Sequence, residues 1–314
     1  MNELSAGPRP DRSFTTAASL QSDTYPIRIV APAKLNLFLK ITGRRSDGYH
    51  ELCSLMCCIA LYDRLTLYPG ADLNRLICDD PLVPSDHTNL AFRALSAFNA
   101  ALEQERYRSW RPVFIELAKT IPAGAGLGGG SSDAAAVLKA LNRYYGHPFS
   151  HDRLAAIALD LGADIPFFLT QTPAVAEGIG ERLSPYPHLP PWHVLLVYPG
   201  FGISTAEVFH DLNLRLTKEE KKIRYFAFKN GKMDVVSHMC NDLEDAVKKR
   251  FPVIATIKAA LLEQGALGAS MTGSGSSVFG LFADSTGARK AVRGLEPQPG
   301  WRIFVTRLLT HPET

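Results

Sequence analysis

The sequence predicts an α+β protein built from two domains. Its 314 residues are more than one ordinary core organises. Strand-like and helix-like patterns come in runs rather than in strict alternation. Four prolines, Pro185, Pro187, Pro190 and Pro191, crowd one short stretch. They set the expected boundary between residues 25–187 and residues 188–314. Residues 1–24, rich in Ser, Thr, Pro, Ala and charge, are expected to be a disordered tail.

Regular structure is expected from Ile27. Residues Ile27–Val30 and Leu35–Ile41 read as strands separated by Pro32, and Thr42–Gly48 as a turn. Strands follow at Cys53–Ala60 and Arg64–Tyr68. The segment Asn89–Leu102 has helical periodicity, with Leu90, Ala94, Leu95 and Phe98 on one face. Alternation at Val113, Ile115 and Leu117 marks a strand. Helices are expected at Asp133–Tyr145, stopped by Gly146, and at His151–Leu161, capped by Ser150 and ended by Gly162. Beyond the prolines come a buried strand at Val194–Tyr198 and helices near Thr205–Asp211, Val235–Phe251 and Val253–Gln264. Strands at Gly268–Met271 and Val278–Phe282 flank Gly273–Ser277, and Arg302–Leu308 is the last strand.

Composition narrows the function. The formal charge is +3, from 34 basic and 31 acidic residues, which supplies no general attraction for nucleic acid. No run approaches the roughly 20 apolar residues of a membrane span, and the start of the chain lacks the apolar core of a secretory signal. The five cysteines (53, 57, 58, 78 and 240) have no zinc-type spacing. They are expected to be reduced core residues in a cytoplasmic protein.

The chemical signal is the segment Pro122–Ser132, PAGAGLGGGSS, with five glycines in eleven residues. Glycine lets the backbone bend sharply and approach a ligand closely. The segment leads into a predicted helix N-terminus, where free N–H groups and the helix dipole favour an anion. Ser131 and Ser132 add hydroxyls, either of which can cap the helix. The physical reading is a polyphosphate cradle. It is not a Walker loop, since no lysine follows a glycine, and a lone GxGxxG match at Gly124, Gly126 and Gly129 is weak.

This loop resembles the second motif of the GHMP kinases, in the triple-glycine form of the 4-diphosphocytidyl-2-C-methyl-D-erythritol kinases. The segment Ala31–Leu52 (APAKLNLFLKITGRRSDGYHEL) is similar to that family's most specific stretch. Leu161–Phe168 (LGADIPFF) and Met271–Phe279 (MTGSGSSVF) resemble its remaining motifs. The likeness runs in order from about residue 27 to 308. It implies the two-domain GHMP kinase fold, with an N-terminal ribosomal-protein-S5-like domain that binds ATP and a C-terminal ferredoxin-like α+β domain.

The resemblance also implies roles. Lys34 and Asp164 match the catalytic pair: a carboxylate accepts the proton of an attacking hydroxyl, and an ammonium beside it stabilises charge. By pattern alone, Lys34 reads as a surface lysine and Asp164 equally as a turn residue. The ATP side comprises Pro122, Ala123, Gly124, Ala125, Gly126, Leu127, Gly128, Gly129, Gly130, Ser131 and Ser132, with Asn89 and Lys119. The substrate side comprises Asn36, Tyr49, His50, Phe168, Thr205, Phe209, Gly273, Ser274 and Gly275, with Tyr49, His50 and Phe209 around the cytosine. The implied ligands are ATP, Mg²⁺ and a diphosphocytidyl sugar alcohol, and the implied state is a monomer or weak homodimer. The metal ligands stay open: Ser131 or Ser132 is one candidate oxygen, and no glutamate is assigned. The alternatives are a homoserine- or mevalonate-type kinase, or a non-catalytic binding protein on the same fold.

Overall fold

The computed structural model describes residues 25–107, 110–211 and 234–311. The tail, residues 1–24, lies outside them. In chain order the elements are β1 (Ile27–Arg44), β2 (His50–Pro69), β3 (Arg75–Cys78), α1 (Leu90–Gln104), β4 (Val113–Ala118), α2 (Gly129–Tyr144), α3 (His151–Leu161) and α4 (Ile165–Thr170). Then follow β5 (Ala174–Gly178), β6 (Arg182–Pro185), β7 (His193–Tyr198), α5 (Thr205–Asp211), α6 (Glu244–Arg250), α7 (Val253–Glu263), β8 (Gly268–Met271), β9 (Val278–Phe282), α8 (Ser285–Gly294) and β10 (Arg302–Leu309). The proline cluster runs from the last residue of β6 into the connection to β7.

The four strands expected before residue 70 are two long ones. β1 and β2 pair antiparallel from Ile27↔Leu67 to Arg44↔His50, with register shifts between Pro32/Ala33, Asn36/Phe38 and Ile41/Gly43. A bulge absorbs the proline, which has no N–H for the ladder, without ending the strand. The sheet runs β3-β4-β2-β10-β7-β9-β8, with β1 and β5 also paired to β2 and β6 to β5. β10 pairs with β7 along Arg302–Arg307 and with β2 through Leu308↔Ile59 and Leu309↔Cys58.

Three apolar clusters hold these elements. α1 and α2 lay Leu95, Phe98, Leu138 and Leu141 on Leu65, Leu67 and Ile115 of the sheet. Leu35, Leu37, Leu55 and Ile59 meet Val194, Leu196, Phe279 and Leu281. On the opposite face of β7, Leu195 and Val197 meet Ile254, Ile257 and Leu261. β7 is therefore buried on both faces, which explains its unbroken apolar run. Each such side chain contributes about 1.5–3 kcal/mol of burial.

Two helices differ from expectation. α2 starts at Gly129, four residues early, with Gly128 in the left-handed region at its N-cap (φ 68°). Ser131 and Ser132 are thus inside its first turn and do not cap it. The helix expected over Val235–Phe251 is a 3-10 turn at Val236–His238 and then α6. The intervening Asn241 is taken by tertiary bonds, donating to the carbonyls of Met271 (2.9 Å) and Gly273 (2.8 Å). All five cysteines are free thiols; Cys57 and Cys58 are buried and the other three half-buried. Burial pushes the Cys57 thiol up to about 12. No helix among the described residues is long and apolar enough to cross a membrane.

Candidate active site

A cleft of about 1010 Å³ opens between the start of α2, the middle of β1 and the turn between β8 and β9. Its wall is the glycine loop, whose shape depends on close backbone approach. A Cβ on Gly128 would come within 2.9 Å of the Phe168 ring and 3.1 Å of Lys34 Cγ. A Cβ on Gly126 would strike the Thr272 carbonyl oxygen, and one on Gly273 would lie 2.8 Å from the Gly126 carbonyl oxygen. The loop is also bonded in place: Lys34 N–H donates to Leu127 O (2.9 Å), Ile203 N–H to Gly124 O (3.0 Å) and Ser277 N–H to Ala125 O (3.2 Å). The residues on either side therefore fix a path that only glycine follows, with N–H groups of the first turn of α2 left for a ligand.

Lys34 and Asp164 meet at the floor. Lys34 Nζ lies 3.4 Å from Asp164 Oδ2, with the lysine side chain 6% exposed and the aspartate 38%. The ammonium also donates to Asn36 Oδ1 at 2.7 Å. Asn36 Nδ2 in turn donates to Ser54 Oγ (2.8 Å), and Ser54 Oγ to Phe38 O (2.7 Å). This chain of bonds fixes the amide and therefore the lysine. Asp164 stands at the N-cap of α4 without capping it, so its carboxylate remains available to the cleft.

At the far end, His50 and Phe209 stack on each other, with ring centroids 5.1 Å apart and planes 21° apart. Burial, then the charge of Arg44, holds the His50 imidazole below its usual range. Tyr49 is 61% exposed beside them. Thr205 Oγ1 and Ser274 Oγ are 2.9 Å apart across the same region. These rings form an aromatic end to the cleft, which suits a flat base.

The structure brings most of the expected residues to this one cleft, and not all. Phe168 is fully buried beneath Gly128 rather than on the wall. Ser132 is buried inside α2, its Oγ without a partner, and Gly275 packs behind Gly126. Asn89 reaches the wall but its side chain is engaged as the N-cap of α1, accepting from Ala91 N–H (2.9 Å) and donating to Pro84 O (2.7 Å). Lys119 is enclosed by Asp63 and Asp133, at 2.5 and 2.8 Å. Burial works against its charge, but the two carboxylates outweigh that and raise its pKa. Burial, partly offset by Lys119, pushes the Asp133 carboxyl up to about 7. Asp63, Asp133 and the apolar segment Leu82–Pro84 beside the loop are missed by motif reading.

Comparison with known proteins decides the family. The model of GHMP kinases N terminal domain matches residues 89–172, and that of GHMP kinases C terminal matches residues 227–299. A 4-diphosphocytidyl-2-C-methyl-D-erythritol kinase from Syntrophotalea carbinolica is 45% identical over 88% of this chain and 96% of its own length. The chain belongs to this kinase family. The relative of the same name from Citrifermentans bemidjiense is 40% identical, covering 90% of this chain and 99% of its own. A crystal structure of 4-(cytidine 5'-diphospho)-2C-methyl-D-erythritol kinase superimposes with a TM-score of 0.72 at 36% identity, covering 90% of this chain and 99% of that one. A homoserine kinase from Cytophaga hutchinsonii reaches 0.71 at only 19% identity, which is a likeness of fold.

Proposed function

We propose that the protein transfers the γ-phosphoryl group of ATP to the 2-hydroxyl of 4-diphosphocytidyl-2-C-methyl-D-erythritol. The observation that carries this reading is the Lys34–Asp164 pair, 3.4 Å apart, between a glycine-built anion cradle and an aromatic end that suits cytosine. Asp164 accepts the hydroxyl proton as the oxygen attacks, or orients that hydroxyl. Lys34 pairs with that carboxylate and stabilises charge on the transferring oxygens. The backbone N–H groups of the loop hold the polyphosphate, and much of the acceleration is positioning and electrostatics.

Mg²⁺ belongs to the same proposal. It prefers oxygen ligands, few of them from protein when phosphates are bound. Ser131 lines the cleft, so its hydroxyl fits as one protein ligand. When bound, the ion would neutralise the β and γ oxygens. The proposal extends to the division into an ATP-binding half, residues 25–187, and a C-terminal half, residues 188–314. It also extends to a cytoplasmic monomer or weak homodimer.

The test is incubation with Mg-ATP and the diphosphocytidyl substrate, following ADP release. Turnover is expected with that acceptor and not with mevalonate or homoserine. Faster turnover with either of the latter overturns the reading.

A further inference from the structure

A second cavity, of about 990 Å³, lies beside the later turns of α2 and shares no lining residue with the cleft described above. Four cationic side chains line it: Arg28 of β1, Arg64 of β2, and Lys139 and Arg143 of α2. Arg28 stands opposite Thr66, which makes Arg64 its diagonal neighbour on the same face of the β1–β2 pair. Lys139 and Arg143 are four residues apart and so neighbours on the helix surface. Two carboxylates also line the cavity, Asp79 and Glu116, and both are engaged elsewhere. Glu116 accepts from the Tyr68 hydroxyl (2.8 Å) and Asp79 from the Lys119 backbone N–H (2.7 Å). None of the four cations has an ion-pair partner among the described residues.

Lys139 sets this cavity apart from an ordinary basic surface. The other buried or half-buried lysines among the described residues, Lys34, Lys40, Lys119, Lys248 and Lys258, each have a carboxylate within 3.4 Å. Lys139 is half-buried and has none. Burial pulls its pKa down. The neighbouring Cys58 thiol, pushed well up by its own burial, supplies no counter-charge. A partly desolvated ammonium without an anion is costly, and a ligand that brings one would remove that cost.

We propose that this cavity binds an organic phosphate, with the phosphoryl group against Lys139, Arg143, Arg28 and Arg64 and a hydrocarbon body against Ile29, Leu154 and Leu309. The four cations exceed the two carboxylates by two charges, which a phosphate monoester balances at neutral pH. Guanidinium forks match phosphate oxygens in pairs. Inorganic phosphate alone would leave the apolar walls, Ile29, Leu65, Leu154 and Leu309, facing water. The proposal is separate from the kinase reading and uses none of its residues.

The experiment is calorimetric titration of the full chain with n-hexyl phosphate, inorganic phosphate and n-hexanol. Hexyl phosphate is expected to bind saturably at one site, about 10-fold or more tighter than either of the others. Lys139→Met keeps the side-chain length and removes the charge. It should weaken hexyl phosphate binding about 10-fold or more and leave turnover of Mg-ATP and the diphosphocytidyl acceptor unchanged. Arg143→Gln, at an exposed position, should also weaken hexyl phosphate binding, and it decides the matter should Lys139→Met fail to fold. No saturable binding, equal binding of inorganic phosphate, or unchanged binding in the variants overturns the inference. A loss of turnover that parallels the loss of binding overturns it too, because it would place the probe in the cleft beside the glycine loop.

Discussion

Lys34 and Lys119 are both buried lysines on the flanks of one phosphate loop, and both face aspartate. Their surroundings differ. Lys34 meets a single carboxylate that is 38% exposed, at 3.4 Å. Lys119 meets two carboxylates, 0% and 2% exposed, at 2.5 and 2.8 Å. A closed cluster is fully committed: its charges compensate each other, and a substrate hydroxyl has no access to them. An open pair has an unspent carboxylate facing the cleft. The same residue types are thus suited to proton acceptance in one place and to fixed electrostatics in the other, and exposure of the aspartate makes the difference.

The open pair is broken most directly by Asp164→Asn, which keeps size and removes charge. On the proposed function, kcat should fall by about 10²–10⁴, with steady-state KM values for both substrates nearly constant. The melting temperature should move little, since a half-exposed ion pair contributes little stability. Lys34→Ala should behave similarly, and the double variant should be far from additive. A normal kcat with a collapsed melting temperature would make Asp164 a turn residue.

The closed cluster should respond in the opposite way. Asp63→Ala removes a carboxylate that satisfies one ammonium and two backbone N–H groups. It is expected to cost on the order of 3–5 kcal/mol, measured by denaturant unfolding. A loss under about 1 kcal/mol would show that the enclosure is as weak as a surface pair.

Two smaller effects mark the limits of the contrast. Phe209→Ala removes one face of the aromatic end and is expected to raise the acceptor KM roughly 5- to 150-fold, with the ATP KM unmoved. Equal rises in both would assign Phe209 to packing. Asn89→Ala should cost about 1 kcal/mol of stability, as loss of an N-cap does, and leave the ATP KM nearly unchanged. A selective rise in that KM would make Asn89 a nucleotide ligand.

Features that lie close along the chain were legible in the sequence. The glycine loop, the Ser150-capped α3 and the strands β8 and β9 depend on local spacing and were read where they occur. β1 was read as two pieces because Pro32 normally ends a strand, and β2 was also read as two; the register shift that tolerates the proline is a property of the pair. α4 was not read as a helix because six residues carry too little periodicity. The break before α6 is a tertiary override, made by Asn241 reaching the β8–β9 turn. In the site, Lys34 and Asp164 were found through motif resemblance. Asp63, Lys119 and Asp133 lie on three separate segments, and no spacing rule relates a strand carboxylate to a helix it meets only after folding.

β10 gives this architecture a directionality in time. The ribosome makes the other described strands first, so the edges of β2 and β7 that β10 will occupy emerge before their partner exists. Open strand edges are where newly made chains pair wrongly with one another. The most exposed moment for these residues therefore comes after the other described strands have been made, with the seam between β2 and β7 still waiting for residues 302–309.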